Sequence, residues 1–139
     1  MGVIIRQLSP DEVKQLMPER FQLANVFDRL ERYAGEDGGI LVGEVDGALA
    51  AAAAVEGRGE VLHVEHFVVL PQYRGHGLGG KLLEAVIEQG RVMGVRKIVS
   101  EAPAWCPDWR AFYTRHGFVY KDRASAGSET EMTPVELAL

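Results

Sequence analysis

Between an apolar run ending at Leu70 and a helically periodic run beginning at Leu78 lies Arg74-Gly75-His76-Gly77-Leu78-Gly79-Gly80-Lys81, with four glycines in a window of six. Glycine reaches positive φ without a Cβ penalty and lets a ligand approach the backbone closely. A strand-to-helix turn built this way can aim several backbone N–H groups at one point. The positive end of the helix dipole then favours an anion there. A phosphate-bearing ligand is implied. An ordinary flexible turn needs only one or two glycines and no flanking arginine.

Three phosphate loops compete for this pattern. A P-loop needs a hydroxyl after its Gly-Lys, and Gly80-Lys81 is followed by Leu82, so no magnesium ligand is available. The dinucleotide fingerprint Gly-x-Gly-x-x-Gly is met by Gly75, Gly77 and Gly80, with Glu101 about 20 residues beyond as a ribose-binding acid. Its context is unfavourable, because Pro71-Gln72-Tyr73-Arg74 intervenes before the first glycine. The strand also follows a hairpin, and little chain remains after Glu101 for a doubly wound sheet.

The chain has 139 residues, the size of one domain (1–139), which can bury roughly two thirds of its unfolded surface. A net charge of −5 argues against non-specific nucleic-acid binding and suits cationic substrates. The single cysteine, Cys106, allows neither an intrachain disulfide nor a cysteine metal cluster, and no metal is expected. No apolar run reaches the ~18 residues of a membrane span, and Met1 to Arg6 is too short for a signal peptide. These features predict a cytoplasmic protein without a membrane partner.

Hydrophobic period places the elements. Val3 to Leu8 reads as a strand, and Ser9-Pro10-Asp11-Glu12 opens a helix with an N-cap, a proline and early acids. Helical spacing continues through Val13, Leu16, Met17, Phe21, Leu23, Val26, Phe27 and Leu30, broken near Pro18, so two helices are expected before Gly35. Gly39 to Val45, a turn at Asp46-Gly47, and Ala48 to Glu56 make a hairpin, with Gly57-Arg58-Gly59 turning next. Val61 to Leu70 is a fourth strand, with Val61, His63, Glu65, Phe67 and Val69 on one face and Leu62, Val64, His66, Val68 and Leu70 on the other. Leu78 to Met93 is a helix burying Leu82, Leu83, Val86, Gly90 and Met93 and capped by Gly94. Val95 to Ser100 (strand), Pro107 to His116 (helix, cap Gly117), Phe118 to Lys121 and Met132 to Leu139 (strands) complete the chain. The plan is α+β, with about seven strands in a mostly antiparallel sheet and about four helices.

This order, with Val69-x-Pro71-x-Tyr73-Arg74-Gly75-x-Gly77-Leu78-Gly79 after the fourth strand, resembles the GNAT-type N-acetyltransferase superfamily. Arg74, Gly77 and Gly79 match its Gln/Arg-x-x-Gly-x-Gly/Ala motif. Ala111-Phe112-Tyr113-Thr114-Arg115-His116-Gly117-Phe118 is similar to its Ala-x-x-Phe-Tyr-x-x-x-Gly-Phe-type segment. The resemblance implies a GNAT-like α/β/α fold with strands 4 and 5 splayed apart, and acetyl-coenzyme A as co-substrate. The backbone of Gly75, His76, Gly77, Leu78, Gly79 and Gly80 would hold its pyrophosphate, with Arg74 adding charge or fixing the loop. Backbone groups of Phe67, Val68 and Val69 would bond the pantetheine arm and the acetyl carbonyl, as strand addition and oxyanion-hole logic. Cys106 stands where many relatives have an asparagine near the cofactor, a departure that leaves that contact open.

Transfer to a primary amine by direct attack in a ternary complex is the implied chemistry. The resemblance puts Tyr113 in the family's general-acid position, and a phenol with a pKa of about 10 is protonated at neutral pH, as a proton donor must be. Packing on the sheet is the alternative account of Tyr113. For the base, Glu101 and Glu65 compete with each other, with His63 and His66, and with water alone. The acceptor pocket implied by the family falls on Glu19 to Asp37 and Arg123 to Thr133, where Glu19, Glu31, Glu36, Asp37, Glu129 and Glu131 would suit a cationic amine or form a solvated acidic face. The resemblance also admits a homodimer. Two other classes stay open: a non-catalytic acetyl-coenzyme A sensor or interaction module, and the dinucleotide-binding domain.

Overall fold

A computed structural model describes residues 2–15, 38–103, 107–121 and 132–139. Seven strands form one sheet in the order β1-β2-β3-β4-β5-β7-β6. They are β1 (Val3–Gln7), β2 (Gly38–Val45), β3 (Ala48–Arg58), β4 (Val61–Val69), β5 (Lys97–Pro103), β6 (Val119–Tyr120) and β7 (Met132–Ala138). Among the described residues the helices are α1 (Pro10–Gln15), α2 (Leu78–Met93) and α3 (Pro107–Arg115), with a 3₁₀ turn at Pro71–Tyr73. None of these helices is long and apolar enough to cross a membrane. Every strand pairing is antiparallel except β4 with β5, as the mostly antiparallel plan requires. The second predicted helix, near Phe21 to Leu30, lies outside the described residues, as does Leu16 onward in the first.

Local chemistry explains the ends of these elements. Asp46 and Gly47 both have positive φ, 50° and 84°, the signature of the type I′ turn that Asp-Gly favours because its twist matches the hairpin. At α1, Ser9 Oγ accepts from the Glu12 N–H at 3.1 Å while Glu12 Oε1 accepts from the Ser9 N–H at 3.0 Å. This reciprocal arrangement satisfies two otherwise orphaned donors. Arg6 of β1 donates to both Glu12 oxygens, at 3.0 and 2.9 Å, and to Glu44 of β2 at 2.7 Å, tying the first helical turn to the sheet edge. Helix α2 buries Leu78, Leu82, Leu83, Val86, Ile87 and Gly90. A Cβ on Gly90 would sit 3.2 Å from both Ile98 and Leu139, so its absence lets α2 lie close to β5. Gly94, in the left-handed region, ends the helix.

Three sequence expectations are corrected. The turn expected at Gly57-Arg58-Gly59 falls later, because β3 continues to Arg58 in register with Val61. Strand β5 runs Lys97–Pro103 rather than Val95 to Ser100, since β7 pairs with it as far as Pro103↔Met132; Glu101 is therefore inside the strand. The strict alternation of β4 is also broken. Val64 pairs with Val55 and His66 with Ala54, leaving Glu65 as the extra residue of a bulge. Directly paired residues share a face, so Phe67 and Val69 join Leu62 and Val64, while His66 joins His63. The apolar cluster agrees, gathering Leu62, Val64, Phe67 and Val69 with Ala51, Ala53 and Val55 and with α2.

Glu12 gives the fold a measurable acid response. The Arg6 hydrogen bonds hold its carboxyl down to about 2, below an ordinary value of about 4.3. A depressed folded-state pKa contributes stability that is present above the ordinary value and lost as pH falls toward the folded one. The stability gap between wild type and Glu12→Gln should therefore be constant above about pH 5 and close progressively between about pH 4.3 and 2. Denaturant midpoints measured across that range check this. The gap should be modest, because both side chains are solvent-exposed.

Candidate active site

Strand β4 meets β5 at three pairs, Val61↔Lys97, Leu62↔Ile98 and His63↔Val99, and the pairing then stops. Val64–Val69 of β4 still pair with β3, and Ser100–Pro103 of β5 with β7. Each strand thus turns one unpaired edge toward the other. A cavity of about 450 Å³ occupies this opening. Its β4 wall is His63 to Phe67 and its β5 wall is Val99, Ser100 and Glu101, with Trp109 and Tyr113 of α3 beneath and Arg58 of β3 at the rim. Tyr113, Glu101, Glu65 and Phe67 thus line one space, although they come from three elements.

Tyr113 is 1% exposed. Its ring packs against Trp109, Phe112 and Phe118, and Phe112 in turn meets Phe67 at 5.7 Å between centroids. The aromatic cluster thus joins α3 to β4. Tyr113 Oη lies 3.0 Å from Ser100 Oγ on β5, where either hydroxyl can donate. Burial pushes the phenol above its ordinary value, while the Ser100 hydrogen bond pulls it back. The phenol therefore carries its proton at neutral pH.

The two glutamates differ in their surroundings. Glu65 pairs with Arg58, which also donates to Glu56 at 3.2 Å. Glu101 is exposed at the cavity wall and makes no hydrogen bond or ion pair among the described residues. Ile98, Ser100 and Ala102 are buried on one face of β5, so Glu101 looks to the other, the face that His63 shares through its pairing with Val99.

Beyond β4, the 3₁₀ turn leads into Gly75 and Gly77, with φ of 85° and 79°. Gly77 caps α2 without a side-chain hydrogen bond. None of the N–H groups from Gly75 to Gly80 finds an acceptor among the described residues, and Lys81 is the first to bond back, to the Gly77 carbonyl. Arg74 Nε donates to the Val69 carbonyl at 2.9 Å, which ties the start of the turn to the end of β4. Gly79 has ordinary φ, and a Cβ there would meet Val69 and Phe112 at 3.5 to 3.7 Å. The turn fits an anionic diphosphate: a row of free donors at a helix N-terminus with little side-chain bulk over them. Cys106 and the acidic acceptor candidates Glu19, Glu31, Glu36, Asp37, Glu129 and Glu131 lie outside the described residues. Ser100, Arg58 and Trp109 were not singled out from sequence. Ser100 was legible only as a hydroxyl at an inward strand position between Ile98 and Ala102.

Residues 5–118 match the Acetyltransferase (GNAT) family. The chain is 35% identical over 130 residues to glucosamine 6-phosphate N-acetyltransferase 1 of Oryza sativa subsp. japonica, across 86% of this chain and 73% of that one. Its fold is similar to that of a GNAT family acetyltransferase from Elizabethkingia anophelis with acetyl-CoA bound, with TM-score 0.80, 15% identity, and 99% and 98% of the two chains covered. The ribosomal-protein-S18-alanine N-acetyltransferase from Escherichia coli gives a TM-score of 0.79 at 21% identity, covering 99% and 94%. The chain belongs to the acetyltransferase (GNAT) family. It is accordingly an acetyl-CoA-dependent enzyme, and the readings as a dinucleotide-binding domain or a non-catalytic sensor fall away. A sheet with one parallel pairing, reached through a hairpin, is also not a doubly wound sheet.

The loop glycines separate by backbone conformation. Gly77 occupies the left-handed region, which costs an L-residue about 1–2 kcal/mol and a β-branched one more. Gly77→Val should remove the rise in melting temperature that acetyl-CoA gives the wild type. Gly79→Ala should keep most of it, since a methyl there meets only ordinary contacts. Equal loss in both variants would mean that side-chain bulk, not backbone conformation, governs the turn.

Proposed function

We propose that this enzyme moves the acetyl group of acetyl-CoA to a primary amine by direct attack, with both substrates held in the opening between β4 and β5. The observation that carries this reading is the end of β4–β5 pairing at His63↔Val99, at a cavity lined by Tyr113 and Glu101. Acetyl-CoA supplies the activated thioester. The N–H groups of Gly75 to Gly80 take its pyrophosphate, and the backbone of Phe67, Val68 and Val69, beyond the end of the β4–β5 pairing, takes the arm and polarises the carbonyl. Tyr113 gives its proton to the departing sulfur. Glu101 accepts the proton that the ammonium loses before attack. Glu65 is the second choice, because its carboxylate is engaged by Arg58. Cys106 need not carry the acyl group, because holding both reactants in line suffices.

The rice relative's name makes an amino sugar phosphate the first acceptor to test, beside peptides with a free N-terminus and polyamines. Tyr113→Phe should lower kcat with acetyl-CoA affinity nearly unchanged. Glu101→Gln should cost roughly 10²–10⁴-fold and remove the acidic limb of the pH–rate profile. If the profile keeps that limb in Glu101→Gln and loses it in Glu65→Gln, the base is Glu65. If it persists in both, water takes the proton. Incubation with acetyl-CoA alone should leave the protein mass unchanged. An acetylated species discharged by added amine would overturn direct transfer.

A further inference from the structure

Ser100 sits on β5 at the cavity wall, 4% exposed, between the fully buried Ile98 and Ala102. Its neighbours on that face are apolar, so a hydroxyl there has no packing advantage over the alanine found two residues on. Within hydrogen-bond distance it has one polar side chain among the described residues, Tyr113, at 3.0 Å. Tyr113 is itself enclosed by Trp109, Phe112 and Phe118. These rings shed water and offer no donor to a charged oxygen beyond the indole N–H.

That enclosure raises a difficulty for the proton transfer. When the Tyr113 Oη–H bond breaks and the sulfur–hydrogen bond forms, the negative charge passes from thiolate to phenolate. A phenolate in an apolar surround is strongly disfavoured unless a donor meets it. Resting on the assignment of Tyr113 as the acid, we infer that Ser100 is a positioning residue for that acid. Its hydroxyl donates to Tyr113 Oη, which leaves the phenol proton free to point into the cavity and then stabilises the phenolate until solvent returns a proton. A hydroxyl suits this task because it can turn from acceptor to donor by rotation about one bond. Burial and the Ser100 bond act on the phenol in opposite senses, as this role requires.

The test uses the intact enzyme with acetyl-CoA and its acceptor amine. Ser100→Ala should lower kcat by about 10- to 100-fold, the worth of a hydrogen bond to a charged group. KM for acetyl-CoA and the melting shift it produces should stay close to wild type. Tyr113 ionisation, read as tyrosinate absorbance and assigned by its loss in Tyr113→Phe, should move to higher pH in Ser100→Ala. Ser100→Thr, which keeps the hydroxyl, should restore both kcat and the titration. If Ser100→Ala retains full kcat while Tyr113→Phe does not, the inference about Ser100 is wrong and the acid assignment stands. If Tyr113→Phe is fully active, the acid assignment itself fails. A kcat loss in Ser100→Ala with an unmoved tyrosine titration would make Ser100 a packing residue and overturn the inference.

Discussion

Parallel pairing between β4 and β5 ends after three residue pairs because β4 acquires a bulge immediately beyond them, at Glu65. A bulge adds local twist and bends its strand, while β5 is held on its other side along its full length by β7. The two strands therefore diverge, and each keeps a row of backbone donors and acceptors facing the gap. Unpaired backbone groups away from water are costly, so the opening is a place where an extended ligand gains what the sheet forgoes. Trp109 and Tyr113 of the α3 aromatic cluster and the Glu101 side chain border this one divergence, and the glycine turn lies beyond the far end of β4.

The same bulge marks the limit of what the residues announced in advance. Alternation placed Phe67 and Val69 with His63 and Glu65, but one inserted position transferred them to the apolar face with Leu62 and Val64. The polar residues of Val61 to Leu70, His63, Glu65 and His66, fall on both faces of a straight strand, so the pattern does not distinguish a bulged strand from a straight one. The helix α2 was legible to the residue because a glycine turn and Gly94 bracket a clear 3.6-residue stripe. The Asp-Gly hairpin was legible because its dipeptide needs a turn few other sequences can make. The length of β5 was not, since it is set by β7, whose nearest pairing with it, Pro103↔Met132, comes from far along the chain. The presence of Tyr113 in the site followed from a motif. Its partner Ser100 depended on a contact across 13 residues that no local pattern encodes.

The run of five alanines in β3 has a structural setting. Ala50 to Ala54 form the middle of β3, the strand between β2 and β4, and all five are essentially inaccessible to solvent. Side chains this small let the layers against the sheet approach closely, and they leave the larger residues of β4 and α2 to fill the interior. Burying polar groups here would require partners that methyl groups do not. Uniform alanine avoids that requirement on both faces of the strand.

The strand order carries a consequence for how the molecule is assembled. Strand β7 lies between β5 and β6, so the last strand in sequence enters the interior of the sheet rather than its margin. Until it arrives, β5 has only its three-pair attachment to β4, and among the described residues the two-residue β6 has no other strand to pair with. During synthesis β1 through β4 and α2 can associate as soon as they emerge, but the β5 wall cannot be braced until β7 is available. Such distant pairings are slow to form, because loop-closure entropy is lost before any contact compensates for it. The half of the molecule that carries the glycine turn can therefore be in place before the half that presents Glu101 is held rigid.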